Sequence, residues 1–264
     1  MPNSAVTNRL RPVKKALAIL VVFGAATGAY FLVRISPVLT TDNTGADKVV
    51  LLHGFGRSDM SMLVLNSALT EAGYDVYSLD YPSTDEAPEA LVEIIGADIN
   101  SCCNDATETV HFVGHSFGGL LLRDYLGRHN PENLGRVVLM GTPNKGSELA
   151  DDDLGIAAQE TLLEWAGPSA QALHTGPEGY PASLPAPEYM VGVIAGNLGN
   201  HMSDKWLPTP NDGVVSVDSA RLDGMTDFID VAVTHWDMRS DPVVARLVID
   251  FLRHGRFNLE REPQ

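Results

Sequence analysis

Apolar residues in this chain come in short continuous runs, set between stretches of helical spacing. "KVVLLHGF" (48–55) reads as a buried strand, and 61–72 as a helix with Leu63, Leu65 and Leu69 among its apolar positions. "YDVYSLDY" is the next strand and 87–99 the next helix. "TVHFVGHS" and "GGLLLRDYLGRH" follow as strand and helix, then "GRVVLMGTP" as strand. After an interruption, "YMVGVIAG" and "FIDVAVTH" read as strands. A closing helix, 242–253, turns Val243, Val244, Leu247, Val248, Phe251 and Leu252 inward. Short buried strands separated by helices predict an α/β fold, a mostly parallel sheet with helices on both faces. Ligands of such sheets sit beyond the carboxyl ends of the strands. Chemistry is therefore expected just after each strand.

The interruption, about 144–187, is longer than a plain connection. Leu154, Ala158, Leu162 and Trp165 fall near helical spacing within it. The expectation is a small helical cap over the ligand end of the sheet, with an extra helix on a side face as the alternative.

Before the first strand lies a different pattern. "RLRPVKK" precedes "ALAILVVFGAATGAYFLV" (16–33), an uncharged run of 18 residues that ends at Arg34. That length is the lower edge for a spanning helix, and basic residues before it orient the rest outward. Residues 1–34 are thus expected to be a signal-anchor that holds an extracytoplasmic domain at the membrane. A signal peptide cleaved near Thr27-Gly28-Ala29 is the alternative, leaving a periplasmic or secreted protein. Phe31-Leu32-Val33 prolongs the apolar run and favours the anchor. A polar linker, 35–47, leads to the domain, 48–257, and 258–264 form a tail.

Composition sharpens the picture in two places. With 44% hydrophobic and 20% charged residues over 264 positions, a globular fold is expected. The net charge is −16, and all five charges within 1–34 are basic, so the domain is more acidic still. Nucleic acid is excluded as a partner, because phosphate binding needs a basic footprint. Cys102 and Cys103 are neighbours and close no ordinary loop. They are expected as two small packed residues near a helix end, with a vicinal or intermolecular disulfide as the alternative.

The candidate chemistry starts at Gly114-His115-Ser116-Phe117-Gly118. This is G-x-S-x-G directly after a strand and at the start of a helix, the setting of a nucleophile elbow. A serine hydroxyl needs a base to take its proton and an acid to orient that base. In this fold they follow in the order Ser, Asp or Glu, His. His235 comes right after an apolar strand, whereas His201 precedes the best acid and His254 ends the last helix. Asp212, on the turn "PNDGVV", is the acid expected, with Asp218 as its nearest competitor. The oxyanion donors expected are the backbone N–H groups of Phe55, in "HGFG", and Phe117. His53 is expected to shape its loop, and His115 to be packed.

HGFG, GHSFGG, "GTPNKGSELAD", "NDGVVSVDSARL" and "THWDM" together resemble bacterial serine lipases and esterases of the α/β-hydrolase superfamily, from about 48 to 257. The resemblance implies a serine carboxylic-ester hydrolase with Ser116, Asp212 and His235 as triad, Phe55 and Phe117 as oxyanion donors, and an ester or lipid substrate. No cofactor is implied. Triglyceride lipases of the superfamily often hold calcium through an aspartate two residues after the histidine, the position of Asp237. The flanking "HWDMRSDP" departs from that loop and no second ligand is matched, so no metal is expected. An acyltransferase would use the same triad with an alcohol as acceptor. A binding module on the same fold is the third reading, and an intact triad counts against it.

Overall fold

In the computed structural model, which describes residues 46–151, 169, 173–201 and 203–258, the apolar runs form one six-stranded sheet. The strands are β1 (Lys48–Leu52), β2 (Asp75–Leu79), β3 (Val110–His115), β4 (Leu134–Met140), β5 (Val191–Gly196) and β6 (Asp227–Val231). They lie in the order β2-β1-β3-β4-β5-β6, and every pairing is parallel. The central strands β3 and β5 are buried along their whole length, which is why their sequences show no polar alternation. The edge strands β2 and β6 are mostly half-buried and carry the aspartates and serine that the centre excludes.

Helices cover both faces. Helix α2 (Pro88–Cys103) and helix α3 (Phe117–His129) bury Leu91, Ile95, Leu121 and Tyr125 against one face. Helix α1 (Leu63–Glu71) and the closing helix (Pro242–His254) bury Leu65, Leu69, Leu247 and Phe251 against the other. Each such side chain contributes about 1.5–3 kcal/mol through burial. The closing helix is delimited by its own sequence. The Asp241 carboxylate accepts from the Val243 and Val244 N–H groups, Pro242 follows at the first position, and Gly255 ends the helix at φ 71°.

Several expectations shift. Leu63 and Val243 are exposed, so the apolar faces of their helices are narrower than the spacing suggests. β1, β2 and β6 stop two to four residues short of their apolar runs, and His235 stands four positions beyond β6. The residues beyond the strand ends, among them the buried His53, Tyr81, Val233 and His235, form loops at the sheet's carboxyl end. Cys102 and Cys103 are joined in a disulfide in the last turn of α2, which corrects the expectation of two unlinked packed thiols.

The ends of the long insertion are held by Arg123 on α3. Its buried guanidinium donates to the Asn144 carbonyl and side chain at 3.3 and 3.2 Å, and to the Leu184 carbonyl at 3.3 Å. The expected cap positions Leu154, Ala158, Leu162 and Trp165 lie outside the described residues, as does the run 16–33. Among the described residues no helix is long and apolar enough to cross a membrane.

Candidate active site

Ser116 is the single residue between the last position of β3 and the first of α3. To turn the chain there it takes φ 56° and ψ −126°, in the left-handed region that a side chain disfavours. Such a conformation costs about 1–3 kcal/mol and persists only when its surroundings fix it. They do: the Ser116 N–H donates to the Met140 carbonyl at 2.8 Å, and its carbonyl accepts from the Gly119 N–H at 3.0 Å. Gly118 lets α3 press against the loop after β1, where any Cβ would collide with the His53 carbonyl oxygen. The serine side chain does not cap the helix, so its hydroxyl is free for another partner.

That partner is His235. Ser116 Oγ lies 2.9 Å from His235 Nε2, across 119 residues of sequence. On the other side of the ring, Nδ1–H donates to Asp212 Oδ2 at 2.7 Å. This bond fixes the tautomer, and it leaves Nε2 with a lone pair aimed at the serine hydroxyl. Asp212 is itself fixed: its Oδ1 accepts from the Val214 N–H at 2.9 Å and the Val215 N–H at 2.7 Å. Its carbonyl accepts from the His235 N–H at 2.9 Å, tying the two loops at backbone level as well. All three side chains are buried. An imidazole so held can take the hydroxyl proton and return it to a leaving group.

Two further histidines frame the site. The His115 Nε2–H donates to the His235 carbonyl at 3.0 Å, and its Nδ1 is buried without a partner. Burial is the largest cause that holds this imidazole well below its ordinary pKa, which favours the neutral ring. His53 stacks on Tyr81 at 4.1 Å between centroids and donates from Nδ1 to the Gly54 carbonyl at 2.8 Å. Burial lowers its pKa too. The Tyr81 hydroxyl, pushed far up by burial, donates to the His53 carbonyl. The Gly56 N–H donates to Ser83 Oγ at 2.9 Å, which pins the far end of the same loop. Phe55 lies between these anchors and its ring meets that of Phe117 edge-on at 5.8 Å. As the first residue of α3, Phe117 has an N–H that the helix leaves without an internal partner. Phe55 and Phe117 are thus brought together beside Ser116.

The other candidates are elsewhere. Asp218 sits in a short helix, Val217–Ala220, with its side chain 78% exposed and paired with Lys145 at 3.3 Å. His201 is exposed, and His254 donates to the Asp250 carbonyl. Asp237 accepts from Thr234 Oγ1 at 2.7 Å, so its carboxylate closes a local turn. Sequence reasoning missed Gly141, whose α-carbon backs onto the Asp212–His235 bond: a Cβ there would stand 3.2 Å from both Asp212 Oδ2 and His235 Nδ1. It also missed Arg57 and Arg239, which flank Trp236 beside His235.

The chain is similar to several known proteins. A triacylglycerol lipase of Burkholderia plantarii is 32% identical over 154 residues, covering 53% of this chain and 42% of that protein. One of Pseudarthrobacter phenanthrenivorans is 33% identical over 113 residues, covering 39% and 35%. The chain therefore matches less than half the length of either relative. Among solved structures, the mature form of the Bacillus licheniformis lipase BlEst2 superimposes with a TM-score of 0.66 at 21% identity, covering 79% of this chain and 92% of that one. Its propeptide form gives 0.68, covering 83% and 52%. Those likenesses speak for the fold. Residues 49–260 match the model of the alpha/beta hydrolase family, and the chain belongs to that family.

Proposed function

We propose that the protein is a serine carboxylic-ester hydrolase, with Ser116 as nucleophile, His235 as general base and acid, and Asp212 as the group that orients it. The observation that carries the reading is the hydrogen-bonded chain from Ser116 Oγ through His235 to Asp212, at 2.9 and 2.7 Å, on a strained corner. A structural serine has no need of that arrangement. The names of the two triacylglycerol lipase relatives support an ester or lipid as the substrate.

In this reading Ser116 Oγ attacks the ester carbonyl carbon as its proton passes to His235 Nε2. The carbonyl π electrons move onto oxygen, where the Phe55 and Phe117 N–H groups donate to the developing charge. Collapse expels the alcohol, which takes the proton from Nε2 and leaves Ser116 acylated. Water, deprotonated by the same nitrogen, then releases the carboxylic acid and restores the hydroxyl. With an alcohol in place of water the same steps give acyl transfer. The N-terminal run 16–33 and its basic flank support a membrane-held domain outside the cytoplasm as part of the proposal.

A panel of p-nitrophenyl esters from short to long acyl chains, with and without an alcohol acceptor, tests the reading. Ser116→Ala should lower turnover by several powers of ten, and a fluorophosphonate probe should label only the unmodified protein. Equal labelling of both removes Ser116 from the mechanism.

A further inference from the structure

The protein carries a net charge of −16, yet two arginines gather beside the reactive corner. Arg57, exposed just past the Phe55 loop, holds its guanidinium 4.8 Å from the centre of the Trp236 ring. Trp236, itself 45% exposed, meets the His235 ring edge-on at 5.4 Å. Arg239, half-buried, donates to the Trp236 carbonyl at 3.1 Å and to the Ser61 carbonyl at 3.4 Å, and its Nε is buried without a partner. Among the described residues neither arginine forms an ion pair with a carboxylate. The nearby acids make their hydrogen bonds elsewhere: Asp237 accepts from Thr234 Oγ1, and Asp59 accepts from the Met60 N–H. Burial first, then the Arg57 charge, disfavour the Arg239 cation, and the Asp237 carboxylate only partly offsets them. A guanidinium nevertheless stays protonated. Two like charges thus stand together at the edge of the site, neither of them in an ion pair among the described residues, in a chain rich in carboxylates.

Their position says which part of a substrate they face. His235 Nε2 returns its proton to the departing alcohol, so that alcohol must lie against His235. Trp236 is the next residue, and the two guanidinium groups bracket it. We propose that Arg57 and Arg239 bind an anionic group, carboxylate or phosphate, carried on the alcohol portion of the ester. Guanidinium groups with N–H donors to spare suit the paired oxygens of such an anion. The proposal rests on the esterase reading of Ser116 and deepens it from any ester to one with a charged leaving group.

The test is a matched pair, 3-carboxyphenyl butyrate and 3-carbamoylphenyl butyrate, which differ in charge and little else. The ratio of kcat/KM for the charged over the neutral ester should exceed one in the wild type. It should fall about tenfold in Arg57→Gln and in Arg239→Gln, and recover in part in Arg57→Lys. A ratio that is the same in the wild type and Arg57→Gln overturns the site. Benzoate and phenyl phosphate, as inhibitors of the neutral ester, rank the two anions, and inhibition by neither also overturns it. Calorimetric titration with 3-hydroxybenzoate and 3-hydroxybenzamide separates this proposal from the esterase reading. Tighter binding of the benzoate, lost in Arg57→Gln, upholds the anion site even if neither ester is cleaved; equal binding refutes it.

Discussion

The imidazole of His115 hydrogen-bonds the backbone carbonyl of His235 at 3.0 Å, joining the nucleophile corner to the loop that carries its base. The two rings lie 4.8 Å apart between centroids. Only a donor can serve a carbonyl, and the neutral ring offers one at Nε2. His115→Phe should leave the buried carbonyl unpaired and let the His235 loop shift, lowering kcat for ester hydrolysis about tenfold or more. His115→Gln keeps an N–H donor and should retain more activity than the Phe variant. Equal losses in both would mean that ring packing, not the bond, is what matters.

The two aspartates near the turn at 212 should separate cleanly. Asp212→Asn places an amide against His235 Nδ1 and favours the tautomer that cannot accept the serine proton. A loss of about 10⁴-fold in kcat is expected by analogy with the same change in other triads. Asp218→Asn removes one exposed ion pair with Lys145 and should change kcat less than twofold. Steady-state kinetics of the two variants on one p-nitrophenyl ester decide it. A reversed ranking sinks Asp212 as the acid.

How much of this could be read along the chain depends on distance in sequence. The corner at Ser116 is local, and strand, glycine, serine and helix all fall within a few residues, so pattern alone located it. His235 and Asp212 are remote from it, and they were reachable because parallel strands deliver their carboxyl ends to one edge. The bond from His115 to the His235 carbonyl left no trace, since backbone acceptors have no residue signature. The same holds for Arg57 and Arg239: a lone arginine reads as surface charge until the absence of an ion pair among the described residues is seen in space. Gly141 could have been suspected from "LMGTP", where glycine follows a buried strand, but what it backs onto could not.

Gly141 should tolerate no side chain. Its φ of 55° already disfavours alanine, and the added Cβ would sit 3.2 Å from both partners of the Asp212–His235 hydrogen bond. Gly141→Ala should destabilise the fold by about 1–3 kcal/mol and also lower kcat, because the crowded bond must lengthen or tilt. Urea denaturation and kinetics on the same preparation test both effects. Wild-type kcat in a destabilised variant would show that the pair does not feel the contact.

Location makes a further prediction. If 16–33 is an uncleaved helix, salt and alkali washes should leave the protein with the membrane fraction. Deleting 1–34 should yield a soluble, active enzyme, since every residue of the proposed site follows position 50. Mass spectrometry of the mature N-terminus checks the premise. A chain that begins near Tyr30 would refute the anchor and leave export standing.

Buried histidines should set the acid limit of stability. Burial is the largest cause lowering the pKa of His53, His111 and His115 in the folded protein. In the unfolded chain each titrates near its ordinary value of about 6.5. Above that pH both states are neutral at these positions and the histidines add no pH dependence. As the pH falls below it, the unfolded chain takes up protons that the folded one does not, so stability declines. Each such histidine steepens the fall by up to about 1.4 kcal/mol per pH unit until its folded pKa is reached. Urea denaturation at pH 8, 7, 6 and 5.5 should therefore show little change between the first two and a growing loss below. His111 is the variant of choice, because it lies on β3 away from the reactive corner and accepts from the Arg136 N–H at 2.8 Å. His111→Gln removes one titration, keeps an acceptor, and should make the acid-side slope shallower by up to that amount. An unchanged slope would assign the acid lability to carboxylates instead.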